Sequence, residues 1–298
     1  PVWSEAAATG HPVVPLFVWT PEEEGERAPG EAARWWLHGS LRSLSESLCA
    51  DGLRCVLRVG GDAAGVVRDV VAECGADRVY AGRRRDPAGR AQETRAAAAL
   101  RETGVELVLM ADNLLHDPET VRSRSGSPYR VFTPFWRTVQ PSVYAEEYGG
   151  GVSLVAGGRQ RRPPAPPVWP RSVDLEELHL LPRSDWAAGL RAAWAPGEAG
   201  AQAALSRFLS DGLANYATHR DLPSEVGTSR LSPHLHFGEI SVRRVWQEVG
   251  ARCSAAGSHG GKGPAEAGLL QGAEVFRTEL GWRDFAHHVL WHFPHTPR

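Results

Sequence analysis

The residues best suited to chemistry lie between Gly227 and Ser241, which read Gly-Thr-Ser-Arg-Leu-Ser-Pro-His-Leu-His-Phe-Gly-Glu-Ile-Ser. A glycine turn leads into the hydroxyls of Thr228 and Ser229, the guanidinium of Arg230, then Leu231 and Ser232-Pro233. Backbone N–H groups, O–H donors and a cation converge where a helix begins, which suits the oxygens of a diphosphate. Ser232 is expected to cap that helix and Pro233 to fill its first turn, where a missing N–H costs nothing. Taken alone, the stretch equally suits an ordinary capped helix start.

Glu279, Trp282 and Arg283 form a second set. On a helix, spacings of three and four residues return to the same face, so the three fall within one arc of ~100°, which Ala286 and Leu290 extend. Without further context the face reads as a half-buried helix with a Glu–Arg ion pair and a core tryptophan. A third set stands upstream: Tyr216, then Arg220-Asp221 and Pro223.

In this order, Tyr216, the Thr-Ser-Arg-Leu-Ser run at 228–232 and the Glu-Leu-Gly-Trp-Arg-Asp-Phe run at 279–285 resemble the photolyase and cryptochrome flavoprotein family. The likeness is nearest to bacterial cyclobutane pyrimidine dimer photolyases. It implies that Tyr216, Thr228, Ser229, Arg230, Leu231 and Ser232 contact FAD, with Phe276 and Arg283 as further cofactor contacts. It also implies that Glu279 and Trp282 are catalytic and, with Arg220 and Arg283, meet DNA. Arg220 reaches a phosphate, which positions a duplex without reading its sequence. Trp282 offers a plane to an extruded lesion, a contact of roughly 1–3 kcal/mol per stacked base. Glu279 hydrogen-bonds the bases and, if protonated at the right moment, helps hold negative charge developing on them. The resemblance, rather than the residues themselves, supplies the base-flipping step.

The activity so implied is light-driven DNA repair. Reduced FAD gives an electron to a cyclobutane dimer, the ring splits and the electron returns. A cryptochrome photoreceptor without repair activity is the alternative; plant members generally lose the Glu and Trp that stand here at 279 and 282. Enzymes acting on (6-4) photoproducts commonly carry Gln where Glu279 stands. A non-flavin nucleotide-binding module is a second alternative, which leaves residues 216 to 285 unexplained. The resemblance further implies an antenna chromophore, folate or deazaflavin, with Ala111 to Pro118 near where some members hold a folate; residue types do not select between them. UV-damaged DNA is the expected partner, with the protein acting as a monomer.

The elements that position these sets follow from the pattern along the chain. Over residues 1–140, short β-rich runs alternate with helical patterns, which predicts a doubly wound parallel α/β domain. Strands are expected at Val13–Trp19, Leu53–Val59, Arg78–Ala81 and Glu106–Met110, and helices at Glu31–Cys49, Ala63–Cys74 and Ala88–Thr103. No dinucleotide or P-loop glycine fingerprint follows a strand. Gly60-Gly61-Asp62 reads as a βα turn and Arg83-Arg84-Arg85-Asp86 as a solvated charge run. Residues 141–182 carry Gly149-Gly150-Gly151 and the prolines of 163–167, and read as an interdomain linker. Residues 183–298 read as an all-α FAD-binding domain, with helices at Ala199–Tyr216, Pro233–Phe237, Ser241–Ala251 and Ala265–Phe293 and a Gly-rich loop at Ser254–Pro264. By the resemblance, the chain is a fragment lacking both ends: a first strand and the remainder of the flavin domain are missing, so weak or absent flavin retention is expected of it, and with it an inactive fragment.

A length of 298 residues favours two domains over a single core. No apolar run reaches the ~18 residues of a membrane span, and no signal peptide is visible. Cys49, Cys55, Cys74 and Cys253 lack paired spacing and read as small, mostly buried thiols in a reducing cytoplasm; the DNA partner that the resemblance implies adds association with the nucleoid when the protein is on DNA. His234, His236, His287, His288, His292 and His295 match no recognised zinc pattern, so no metal is expected. A net charge of −2 gives no global attraction to DNA and requires a local basic patch. The eleven tryptophans are expected mostly in cores.

Overall fold

The computed structural model describes residues 2–111, 113–148, 162–257 and 263–296. They divide into two compact units, one of residues 1–112 with 158–197, the other of 113–157 with 198–298.

The first unit begins with α1 (Val2–Ala8), β1 (Leu16–Trp19), α2 (Glu31–Ala50), β2 (Val56–Val59), α3 (Ala63–Cys74), β3 (Arg78–Gly82), α4 (Pro87–Glu102) and β4 (Glu106–Met110). Local chemistry sets these bounds. Asp62 caps α3 by accepting from Gly65 N at 2.8 Å, and left-handed Gly75 (φ 67°) ends it. Asp86 caps α4 in the same way, accepting from Gly89 N at 2.7 Å with Pro87 next in line. Gly60-Gly61-Asp62 is therefore the expected βα turn.

The strands pair in parallel, Leu16–Trp19 against Val56–Val59 and Arg78–Gly82 against Glu106–Met110. Among the described residues these are two separate two-stranded sheets, which corrects the expectation of one doubly wound sheet. The alternation of strand and helix specifies a parallel pair across each crossover, α2 for the first and α4 for the second. It does not specify how pairs join. The charge run is also corrected in part: Arg84 pairs with Asp86 at 3.0 Å at the surface, but Arg85 is buried.

After α5 (Phe132–Tyr148) of the second unit, the chain returns to the first and ends its visit with α6 (Ala188–Ala193). This returning stretch is more than the predicted linker. Leu57 N donates to Ser172 Oγ and Val173 N to Leu57 O, each at 3.0 Å, so residues 172 and 173 line the open edge of β2. Leu178 and Leu180 then join Trp19, Leu41 and Leu57 in this unit's core. Residues 149–161, including the glycine triplet, lie outside the described residues.

The second unit holds α5, α7 (Glu198–Arg207), α8 (Tyr216–His219), α9 (Ser232–His236), α10 (Val242–Gly257) and α11 (Pro264–His292). The linker expected to start at 141 is helical there. Pro141 costs about 3 kcal/mol inside α5, but Phe135, Trp136, Val139 and Val143 bury one face of it, and each such side chain contributes about 1.5–3 kcal/mol. Packing wins. The single helix expected at Ala199–Tyr216 is broken by a π turn at Phe208–Gly212 and a 3-10 turn at Leu213–Asn215. The predicted loop at Ser254–Pro264 is helical through Gly257, and 258–262 lie outside the described residues.

The longest helix, α11, buries Leu269, Gly272, Ala273, Phe276, Arg277, Leu280, Gly281, Asp284, Phe285 and His288, a 3-and-4 spacing sustained over its length. The remaining face, with Glu279 and Trp282, stays partly or wholly open. No helix among the described residues is long and apolar enough to cross a membrane. The cysteines depart from expectation: Cys49 is exposed and Cys55, Cys74 and Cys253 are half-buried, with burial pushing the Cys55 thiol up to about 11.

Candidate functional site

The open face of α11 gathers two of the three sets within the second unit. Arg220 Nη1 donates to Glu279 Oε1 at 2.5 Å, linking residues 59 apart in sequence. The same guanidinium lies 5.5 Å over the Tyr216 ring, and its Nε is 3.4 Å from Asp221. The bond to Glu279 holds Arg220 even more firmly protonated than usual. Burial raises the Tyr216 hydroxyl, a shift that Arg220 opposes and Glu279 and Asp221 reinforce. The carboxylate's ion-pair partner is thus Arg220 and not Arg283, the neighbour one turn along.

Trp282 is 46% exposed, so it is no core tryptophan. One face of its ring is covered by Phe132, with centroids 3.8 Å apart and planes 12° from parallel. Arg283 turns the other way and donates from Nη1 to Asn113 O at 2.7 Å. Asn113, in the left-handed region at φ 53°, also donates from Nδ2 to Leu235 O at 2.6 Å. One residue therefore ties α11 to α9, the helix that follows the diphosphate-suited turn.

Asp284, buried beneath this face, accepts from Leu115 N at 2.8 Å and His116 N at 2.9 Å. Burial pushes its carboxyl up to about 7, against the lowering by those two N–H groups and by Arg283 and Arg243. Arg243 Nη2 donates to Leu115 O at 2.8 Å, so residues 113–116 are held from α10 and α11 together. The segment expected near a folate is in this respect a clasp inside the second unit.

The turn at 227–232 is shaped by close approach. A Cβ on Gly227 would collide with His219 O, so only glycine lets the turn lie against the end of α8. Arg230 adopts φ 56°, and Ser229 Oγ accepts from Leu231 N at 3.3 Å. Leu231 is buried and anchors the turn in the core, while Thr228 and Ser232 are exposed. The expected cap is corrected: Ser232 is the first helical residue, Leu231 takes the cap position, and no side chain caps the helix. The exposed hydroxyls, the arginine and the N–H groups remain a donor set matched to diphosphate oxygens. Phe276 lies in the interior, 4.6 Å from Phe208 and 5.2 Å from Tyr216 by ring centroids.

Three residues of this neighbourhood were not singled out from the sequence. Phe132 belongs to no motif, and Asn113 lies in the 111–118 segment expected near a folate rather than near this face. Asp284 sits inside the Trp-Arg-Asp-Phe run, where its place after Arg283 was the available signal.

The DNA photolyase family model matches residues 1–149, half of the chain. The chain belongs to the DNA photolyase family. Over 290 residues it is 38% identical to the deoxyribodipyrimidine photo-lyase of Agrobacterium fabrum, covering 97% of this chain and 56% of that one. It is 30% identical to cryptochrome-1 of Arabidopsis thaliana, covering 98% of this chain and 41% of the relative. Among solved structures, a bacterial class III photolyase from Agrobacterium tumefaciens superposes with a TM-score of 0.79 at 36% identity, covering 98% of this chain and 56% of that one. The chain thus spans about half the length of these photolyase-family relatives.

Proposed function

We propose that the protein is a light-driven DNA-repair lyase acting on cyclobutane pyrimidine dimers, with FAD held in the helical unit. The observation that carries this reading is the Arg220–Glu279 pair, which joins two distant motifs beside a tryptophan whose ring stays open to solvent. Thr228, Ser229, Arg230 and Ser232 hold the diphosphate; Leu231 contributes backbone while its side chain fixes the turn. Tyr216, Phe276 and Arg283 complete the cofactor's surroundings.

The chemistry supplied by bound, reduced FAD is the light-driven transfer of one electron to the dimer and back. The chain's own residues do the rest. Trp282 presents an aromatic plane to the extruded bases, and the Glu279 carboxylate accepts from their N–H groups. Arg220 exchanges part of its contact with Glu279 for a backbone phosphate, which sets the register of the duplex. The α/β unit is read as the seat of a folate or deazaflavin antenna, and the protein as a cytoplasmic monomer.

Illuminating the intact protein, flavin bound and reduced, with dimer-containing DNA should deplete the dimers; unchanged dimer levels would overturn the reading. The likeness to a plant cryptochrome favours a second reading, a photoreceptor, and that reading expects a light response with no loss of dimers.

A further inference from the structure

We propose that Phe132 is a positioning residue that backs Trp282 and fixes its indole plane, so that one face is held ready for an unstacked pyrimidine pair. The inference rests on the repair reading above and deepens it.

An aromatic side chain at 46% exposure on a helix surface ordinarily samples several rotamers. Trp282 is held. Phe132 stacks on it at 3.8 Å and 12°, and Trp136 continues the stack behind Phe132 at 6.1 Å and 13°. Phe285 meets both Phe132 and Trp282 at 5.9 Å, with its ring edge-on at 68° and 75°. Trp136 and Phe285 are buried, so the exposed indole is the outermost leaf of a stack rooted in the core. The helix backbone itself makes room for that root: a Cβ on Gly281 would come within 2.7 Å of the Trp136 ring.

An indole has two faces, and Phe132 covers one. The exposure left to Trp282 therefore belongs to the opposite face and the rim. A plane fixed before the lesion arrives saves the ordering cost that a swinging ring would incur on binding. Phe132 is well placed to do this from α5, a different element from α11, because α5 is itself anchored by Phe135, Trp136 and Val139. The contact is one-sided by construction: the bases occupy the face that Phe132 does not.

The test compares Phe132→Leu, which keeps a large apolar side chain but removes the ring, with Phe132→Tyr, which keeps the ring. Dark binding of a dimer-containing duplex and of the same duplex undamaged is measured for each, with a thermal melt to confirm the fold. Phe132→Leu should lower the preference for damaged DNA by about twofold to tenfold, the range of an aromatic pair, with affinity for undamaged DNA unchanged. Phe132→Tyr should stay within about twofold of the parent. An unchanged preference in Phe132→Leu overturns the proposal, as does a gain, which would make Phe132 a cover that must leave. Loss in Phe132→Tyr equal to that in Phe132→Leu overturns it too. A parent protein that does not prefer damaged DNA takes the repair reading down with it, an outcome distinct from the other three.

Discussion

Asp284 is the residue whose protonation the fold most alters. Its carboxyl is buried, and burial pushes it up to about 7 from an ordinary value near 3.8. A carboxyl whose folded value exceeds its unfolded one contributes stability that is fully present below the unfolded value and is lost as pH rises through the folded one. Asp284 should therefore destabilise the protein progressively between about pH 4 and pH 7. His288 works in the opposite sense. Burial first, then His292 and Arg122, lower it to about 4, so its share of stability is lost as pH falls from about 6.5 towards 4. The raw profile sums the two. Asp284→Asn retains an oxygen for the Leu115 and His116 N–H groups but cannot ionise, so it isolates the share that belongs to Asp284. Melting temperatures of parent and variant, measured from pH 4 to pH 8, should converge at the acid end and separate in favour of the variant as pH rises. A constant difference across that window would place the perturbation elsewhere.

Glycines decide how closely the helices of the second unit approach. A Cβ on Gly272 would collide with the Leu213 carbonyl, whereas one on Gly268 would sit 3.1 Å from Ala214 O. Gly→Ala in a helix interior gains about 1 kcal/mol of propensity, and overpacking a core costs about 1–3 kcal/mol. At Gly272 the obstacle is backbone that cannot swing aside, so the clash wins. Gly272→Ala should lower the melting temperature by several degrees, with Gly268→Ala near neutral, and a Gly272→Ala protein as stable as the parent would refute the packing described. Which elements the sequence discloses follows the same logic of local against distant causes. Helix α3 is legible to the residue because Asp62 and Gly75 mark its ends within the chain, and α11 to within one residue because its apolar spacing is long and uninterrupted. The helical course of α5 through Pro141 is illegible locally, since the packing that overrides the proline comes from residues far away in sequence. The close approach of the 3-10 turn at Leu213–Asn215 to Gly272 is hidden for a like reason, since the two lie on elements far apart in sequence. Of the site, the motifs at 216–232 and 279–285 are legible as residue types, but not the pairing of Glu279 with Arg220 or the stacking of Phe132 on Trp282, which are contacts between elements.

Charge over the entire chain bears on how the DNA binding proposed above would be achieved. The net charge is −2, so no long-range field draws it to a polyanion, and attraction must act within about a Debye length, roughly 10 Å at 0.1 M salt. Of the 33 basic residues all but Lys262 are arginine, the side chain whose planar fork suits phosphate oxygens. Arginines are matched with carboxylates in Arg58–Glu73, Arg78–Glu106 and Arg220–Glu279, so the proposed DNA binding calls for a local patch rather than a general coat. Phosphate contacts are blind to damage, while the stack on Trp282 is blind to salt. Between 50 and 200 mM salt, affinities for damaged and undamaged duplexes should therefore fall along parallel lines in a plot of log affinity against log salt, with their ratio preserved. Arg220→Ala should lessen the steepness of both lines by about 0.9, the share of one phosphate contact. Lines that converge as salt rises would mean that lesion preference is itself electrostatic, and the aromatic plane would lose its place in the account. Equal steepness in the parent and Arg220→Ala would instead leave this guanidinium as the partner of Glu279 alone.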